Sequence, residues 1–461
     1  MEVVFFDIEN STDSVAYFPE SLRFYRVNRQ NKELLLDAAA SKSKDELCKQ
    51  YGISEAGCDR AYELLHERLA CSDLENTGYI SRLTINLTNS CNLKCRYCYA
   101  HGGSYACNAE HMSRETAKRV IDVFGKEFNN IFMIQFFGGE PLLNPDVFEF
   151  LCDYICEQSA KGVLNPGIGE RPRMVLMTNF TAADDRIIDI IDRYGVNVTV
   201  SLDGGEEINA ITRPMKNGQS QLEIVKRNIE KLRRKTNGRQ PVLTEATYTR
   251  LHRDLNVSVT DVIKYFNDEL GMKRVHLLPA MTDPDSDCYI GEYDFLTEAA
   301  AEILKLREEG KHYSFDKLED NFVRLKYRSK PRRYVCDAGQ SQYSVSTDGD
   351  IYPCYALAGD ADLIMGNVHD DDVFASEGYL RKRRGYAERD RLKREPCKSC
   401  FARMACHGCM AIYKSLGNEL FDPPETVCRT FCDIFKMTML YLAEHEEHGL
   451  DLFNYTDDGN E

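Results

Sequence analysis

Nothing in the 461-residue sequence approaches the roughly 20 consecutive apolar residues that a membrane-spanning helix needs. Basic charge is also short: 58 Lys and Arg face 74 Asp and Glu, a formal net charge of −16. That balance excludes duplex nucleic acid as a partner, because phosphate binding needs a basic surface. The opening run Met1-Glu-Val-Val-Phe-Phe-Asp lacks the basic start and the small-residue cleavage site of a secretory signal. The expectation is a cytoplasmic protein with no membrane partner. Low-complexity tracts and internal repeats are missing as well. What is left, 43% hydrophobic and 29% charged residues, is an ordinary globular composition with length for two or three domains.

Against these absences stand eighteen cysteines. A large chain with no export signal has little use for so many disulfides, and in a reducing compartment clustered thiols point to metal ligation.

The pattern divides the chain in three. Residues 1–80 open with β-rich runs at Val3–Ile8, Ser14–Phe18 and Leu22–Val27. Helical periodicity follows at Asn31–Ala40, Lys44–Tyr51 and Glu55–Ala70, the last two joined at Gly52 in a possible helix-turn-helix. This segment carries 9 Lys and Arg against 15 Asp and Glu, a net of −6, which is unsuited to DNA. From 81 to 310, strands near Leu83–Leu87, Phe132–Phe137, Met174–Thr178, Val196–Leu202, Val242–Tyr248 and Arg274–Leu278 alternate with helices. Those helices fall near Glu115–Phe128, Asp146–Gln158, Asp184–Tyr194, Gln221–Arg234, Val257–Leu270 and Phe295–Glu308. Six βα units predict an α/β fold with a parallel sheet, open and doubly wound or curved into a partial barrel, with strands apolar enough for burial on both faces. Residues 311–461 lose the alternation after a charged linker at 311–333, with room for one more helix, and hold eight of the cysteines.

Directly after the first strand of that unit comes Cys91-Asn-Leu-Lys-Cys95-Arg-Tyr-Cys98. Three thiolates on one short loop can hold three corners of a cubane cluster and leave the fourth iron open. Zinc is the alternative, with His101 or Cys107 as the fourth ligand. The spacing CxxxCxxC with Tyr97 before the third cysteine resembles the radical S-adenosylmethionine (SAM) superfamily. Further resemblances fall at successive strand ends: Gly138-Gly139-Glu140-Pro141, Thr178-Asn179 and Ser201-Leu202-Asp203-Gly204. The resemblance implies a partial (β/α)6 TIM-like barrel and a [4Fe–4S] cluster on Cys91, Cys95 and Cys98. It also implies SAM contacts from Tyr97, Gly138, Gly139, Glu140, Ser201 and Asp203, with Arg213 a candidate for the SAM carboxylate. On the bland reading Glu140 is a helix cap, Asp203 a turn residue and Arg213 a surface cation.

The C-terminal third holds Cys336, then Gly349-Asp-Ile-Tyr-Pro-Cys354, Cys397-Lys-Ser-Cys400, Cys406-His-Gly-Cys409 and Cys428-Arg-Thr-Phe-Cys432. This array resembles the SPASM domain, with one departure: Cys409 follows Cys406 after two residues where three is common. The resemblance implies two auxiliary [4Fe–4S] clusters and so three clusters in all. Cys397, Cys400, Cys406 and Cys428 would hold the outer one, and Cys336, Cys354 and Cys409 the inner one. Cys432 either completes the inner cluster or leaves it an iron open to a substrate thiolate. Eight thiols would equally serve two zinc sites. Of the other cysteines, Cys152 and Cys156 share a helix face and belong in the core, while Cys107 and Cys288 fall in loops beyond strand ends.

The first eighty residues resemble the winged helix-turn-helix peptide-recognition module of ribosomal-peptide maturases, which adds a leader peptide as a strand to a sheet edge. The run Thr244-Glu-Ala-Thr-Tyr-Thr249 with His252 resembles thioether-forming maturases. Together these imply an enzyme that joins cysteine sulfur to carbon in a cysteine-containing precursor peptide, fed by a reductant protein such as flavodoxin or ferredoxin. Carbon–carbon cross-linking, formylglycine formation and a non-catalytic Fe–S or zinc scaffold are the rivals.

Overall fold

The computed structural model describes residues 3–71, 78–105, 110–128, 130–164, 169–331, 333–388, 390–446, 448–450 and 452. Strands β1 (Val4–Asp7), β2 (Ser14–Phe18) and β3 (Arg23–Val27) form an antiparallel sheet in that order, followed by helices α1 (Arg29–Ala39), α2 (Lys44–Tyr51) and α3 (Glu55–His66). Every residue of β2 is buried, because the sheet is covered on both sides. Val15 and Tyr17 pack toward Phe435 and Met439, whereas Ala16 and Phe18 pack toward Leu34, Leu47 and Leu64 of the module's own helices, the two-residue alternation that a strand imposes. Capping serines at Ser43 and Ser54 start α2 and α3. The expected extension of α3 to Ala70 stops at His66: Glu67 leaves the helix to pair with Arg23 and Arg328, and the Leu69 amide donates to the Glu20 carbonyl.

The short pair β4 (Tyr79–Ile80) and β6 (Asn130–Ile131) flanks the main unit, which runs β5 (Arg82–Asn86), α4 (Arg114–Glu127), β7 (Met133–Phe137), α5 (Pro145–Ala160), β8 (Arg173–Thr178), α6 (Asp185–Tyr194) and β9 (Asn197–Ser201). It continues through α7 (Glu206–Thr212), α8 (Leu222–Lys235), β10 (Leu243–Tyr248), α9 (Arg250–Asp254), α10 (Val259–Lys264), β11 (Val275–Pro279), α11 (Asp294–Glu308) and α12 (Asp316–Tyr327). The expected single helix at 257–270 is α10 extended by a wider π turn over Tyr265–Glu269.

Strands β5, β7, β8, β9, β10 and β11 are parallel neighbours in chain order. The order never reverses, so there is no switch point of the kind a doubly wound sheet carries. One expectation is overturned here. The strands are not apolar on both faces: Leu83, Ile85, Ile134, Phe136, Leu176, Val198, Val200, Ala246 and Leu277 join the helix-covered core. The alternate positions Thr84, Asn86, Gln135, Thr199, Ser201, Glu245, Thr247 and His276 turn to the opposite face. This inner, lumen-side face is mixed, because Phe137, Val175, Met177 and Leu278 share it by register.

The sheet continues past β5 into the C-terminal region. Strand β12 (Gln342–Val345) pairs parallel with β5, and β13 (Asp350–Tyr352) and β14 (Gly366–Asn367) follow antiparallel. Helices α13 (Glu377–Ala387), α14 (Met410–Ser415) and α15 (Glu425–His445) complete the chain, with α15 packed on α11, α12 and β3. Among the described residues no helix is long and apolar enough to cross a membrane.

Candidate active site

The ends of β5, β7, β8 and β9 form one rim, the position at which parallel βα units build their chemistry. Cys91, Cys95 and Cys98 lie on the loop after β5 and are largely hidden. Burial pushes the Cys91 thiol up to about 11, with the nearby Glu140 charge adding to it, and the Cys95 thiol up to about 12. Thiols held neutral in this way are poor nucleophiles, and only a bound metal would invert that preference. His101, the alternative zinc ligand, is exposed, and Cys107 lies outside the described residues. Among the described residues no three His, Cys, Asp or Glu side chains converge on a single ion position. In a cubane each thiolate meets a different iron, so the sulfurs stand further apart than around one zinc. Three largely hidden thiols on one short loop suit the soft irons of a cluster.

The glycine-rich segment after β7 is locked to the start of this loop. Gly139 and Glu140 donate their amides to the Thr88 and Ser90 carbonyls at 2.8 Å each. A Cβ on Gly139 would stand 2.2 Å from the Ser90 carbonyl oxygen, so only glycine allows this approach. The Glu140 carboxylate is 1% exposed and taken up by the protein itself: it accepts from the Leu142 and Asn179 amides at 3.1 and 2.8 Å and from the Thr178 hydroxyl. It is therefore the cap of the Pro141–Leu143 turn. Asp203 is likewise fully buried, accepting from Tyr97, Thr212 and the Thr247 amide at 3.0, 2.8 and 3.0 Å. Both carboxylates brace the rim. Ser201 is half-buried at the end of β9.

Arg213 is no surface residue. It donates to the Tyr97 hydroxyl and lies 3.8 Å from Asp203, while its buried Nε has no hydrogen-bond partner among the described residues. A buried donor left over in this way fits a ligand carboxylate. Replacing Arg213 by alanine strands the Asp203 charge. Stability should fall by about 3 kcal/mol, read from the urea midpoint of the purified protein.

Three residues that the sequence placed near strand ends, but gave no role, stand beside the rim. The Asn179 side-chain amide donates to Asn92 at 2.9 Å and reaches within 3.9 Å of the Cys91 sulfur. His252 is fully buried, its ring at 3.0 Å from both the Asp203 carbonyl and the Thr249 hydroxyl, and burial holds its pKa below the usual value. Cys288 is buried with Tyr97, against Cys95.

Deeper in the lumen His276 bridges two carboxylates, Glu245 at 3.2 Å and Asp316 at 3.4 Å. Burial lowers its pKa, but the Glu245 bond and the Asp316 charge outweigh it, and the net shift is upward. The charged ring thus stabilises the fold fully below about pH 6.5, its unfolded value, and this contribution is lost as pH rises through the higher folded value. His276→Gln should flatten the fall in thermal stability on the alkaline side of pH 6.5, measured as melting temperature against pH.

The C-terminal thiols fall into two groups. Cys336, Cys354 and Cys409 lie within each other's electrostatic reach, each raised chiefly by burial. Cys397, Cys400, Cys406 and Cys428 form the second group. Cys432 lies with the second: its sulfur is 3.7 Å from that of Cys400, and its nearest thiols are Cys400, Cys406 and Cys428. Tyr99 lies near both Cys98 and Cys354, and Tyr355, next to Cys354, packs edge-on against Phe137 at the end of β7. The inner set therefore lies close to the rim.

Residues 85–248 match the family model described as the radical SAM superfamily, and residues 336–401 match SPASM, an iron–sulfur cluster-binding domain. Residues 85–248 are thus similar to a radical SAM domain and residues 336–401 to a SPASM domain. An uncharacterised protein of Methanocaldococcus jannaschii is 38% identical over 32% of this chain and 47% of its own, so the match spans about half of that relative. The radical SAM cyclopropyl synthase TigE of Paramaledivibacter caminithermalis is 24% identical over 85% of this chain and 79% of its own. Among solved structures, anSMEcpe with bound AdoMet aligns with a TM-score of 0.65 at 20% identity, covering 80% of this chain and 96% of that one. With this radical SAM/SPASM pairing and enzymes among the relatives, the protein is an enzyme of iron–sulfur and SAM chemistry.

Proposed function

We propose that this radical SAM/SPASM enzyme forms thioether bonds between cysteine sulfur and carbon in a ribosomally made precursor peptide, in the cytoplasm. The observation that carries the reading is the position of Cys432 beside Cys400, which leaves the inner set with Cys336, Cys354 and Cys409. Three thiolates leave a cubane one open iron, the position a peptide cysteine would take. A peptide as substrate is further supported by anSMEcpe, which was solved with AdoMet and a Kp18Cys peptide and aligns at a TM-score of 0.63.

On this reading the six parallel strands are a partial (β/α)6 barrel over about residues 81–310, preceded by a peptide-recognition module at 1–80 and followed by the SPASM region at 311–461. Cys91, Cys95 and Cys98 hold the SAM-binding cluster, and Cys397, Cys400, Cys406 and Cys428 the outer auxiliary one, making three. When bound, these centres and SAM supply a 5′-deoxyadenosyl radical for hydrogen abstraction and take up the electron released as the new bond forms, with a flavodoxin or ferredoxin as the external reductant. The protein does the rest. Arg213 Nε receives the SAM carboxylate, and Ser201 with the Gly138-Gly139 main chain lines the nucleotide. Gln135, Glu245 and His276 hold the peptide across the lumen, and the Tyr99 and Tyr105 rings exclude water.

The experiment is mass spectrometry of candidate precursors after anaerobic incubation with SAM and reductant. Loss of two hydrogens per bond, with alkylation-resistant cysteines, is the expected product. The same loss with cysteines still free to alkylate would establish carbon–carbon linkage instead, and conversion of cysteine to an aldehyde would establish formylglycine.

A further inference from the structure

One edge of the N-terminal sheet is β3, and the protein pairs it with its own C-terminal segment. The Arg26 amide donates to the His448 carbonyl at 2.7 Å, and the Leu450 amide donates to the Arg26 carbonyl at 3.1 Å, so Gly449 pairs with Arg26 as in a parallel strand. The Asn31 side-chain amide, at the start of α1, donates to the Leu450 carbonyl at 3.0 Å. Leu452 is fully buried among Leu34, Leu35, Ala61 and Leu65, with Leu450 packed beside it. Alternate side chains of an added strand thus enter the cleft between the sheet and α3.

The cleft is closely fitted to that backbone. A Cβ on Gly57 of α3 would stand 2.2 Å from the Leu452 carbonyl oxygen, although alanine suits a helix better than glycine does. Upstream of the pairing, a cavity of about 710 Å³ between β3, α12 and α15, lined by Arg23, Tyr25, Phe322, Arg328, Tyr441 and His448, continues the same path. A peptide longer than the tail could enter there and run along β3.

We propose that this cleft is the peptide-binding groove of the module and that residues 448–450 and Leu452 supply its built-in ligand, which a precursor leader of the same pattern must displace. The proposal rests on the reading of residues 1–80 as a peptide-recognition module, and it adds which edge is used, what fits it and what holds it shut. The fitting sequence is an extended strand with two apolar side chains spaced as Leu450 and Leu452, and a main-chain carbonyl for Asn31.

A labelled synthetic peptide of residues 447–454 tests it by fluorescence anisotropy. A variant ending at Glu446 should bind this peptide saturably, and the full chain at least tenfold more weakly. Leu452→Asp in the peptide, or Gly57→Ala in the shortened protein, should each weaken binding at least tenfold. Should the shortened protein unfold by circular dichroism, full-length Leu452→Asp takes its place and should bind the wild-type peptide better than the full chain does. Equal binding by full and shortened chains, or none by a folded shortened chain, overturns the proposal. These titrations need no turnover, so they stand apart from the maturase reading, which falls only if no precursor is modified. A precursor modified with the same KM by both forms would remove the tail as competitor and leave the maturase in place.

Discussion

Cys91→Ala, Cys95→Ala and Cys98→Ala should each lower 5′-deoxyadenosine formation by at least ~10³-fold, equivalent to about 4 kcal/mol of barrier. The cause lies in the burial of the loop. With the thiols pushed to about 11 and 12, binding must begin by removing protons that the protein itself holds on. The iron charge makes this favourable only when all three sulfurs act together. Two remaining thiolates leave a second open iron, and neither exposed His101 nor buried Cys288 stands ready to replace the missing ligand. On the proposed set of three clusters, iron content should fall from about twelve atoms per chain to about eight, with the auxiliary clusters retained. Asn179→Ala, which removes only the amide near the Cys91 sulfur, should cost about 10 to 100-fold, the scale of an outer partner to a metal ligand. Liquid chromatography of anaerobic reactions reads both effects. Wild-type cleavage by any of the three cysteine variants would remove the loop from the active site.

Much of the fold was legible because periodicity is local. All six parallel strands lie within two residues of where their apolar runs place them, and α2 begins and ends at Lys44 and Tyr51 as its pattern predicts. The pairing of β12 with β5 was not legible, since residues 342–345 and 82–86 are joined by register across most of the chain. The tail on β3 was hidden for the same reason: a few residues around Gly449 carry no strand periodicity, and only the cleft gives them one. The mixed inner face was readable only in part: Arg-Leu-Thr-Ile-Asn alternates, whereas Leu-Thr-Glu-Ala-Thr-Tyr sets Leu243 beside the polar positions and Thr244 on the core side. At the site the motifs gave positions but not roles. Glu140 and Asp203 stand at strand ends as the resemblance implies, yet local hydrogen bonding consumes both carboxylates, and sequence alone cannot separate a ligand contact from a brace.

Cys432 shows how a spacing can carry more than was taken from it, and it sets the second large effect. Residues 425–445 form one helix, and cysteines four apart on a helix share a face. Cys432 must therefore follow Cys428 to the outer set, as its 3.7 Å approach to Cys400 records. On the proposed function, losing an inner thiol and losing Cys432 have opposite consequences. Cys409→Ala should remove about four irons per chain and abolish cross-linked product, a loss of at least ~10³-fold, while 5′-deoxyadenosine continues to form without peptide modification. Cys432→Ser should keep about twelve irons and at least about half the product rate, because Cys397, Cys400, Cys406 and Cys428 already supply four thiolates. Iron analysis with paired assays of deoxyadenosine and peptide mass distinguishes the two. The informative reversal is Cys432→Ser losing product while keeping SAM cleavage: the inner centre would then be closed by Cys432, no iron would be open to a peptide thiolate, and carbon–carbon linkage would replace thioether formation as the better reading.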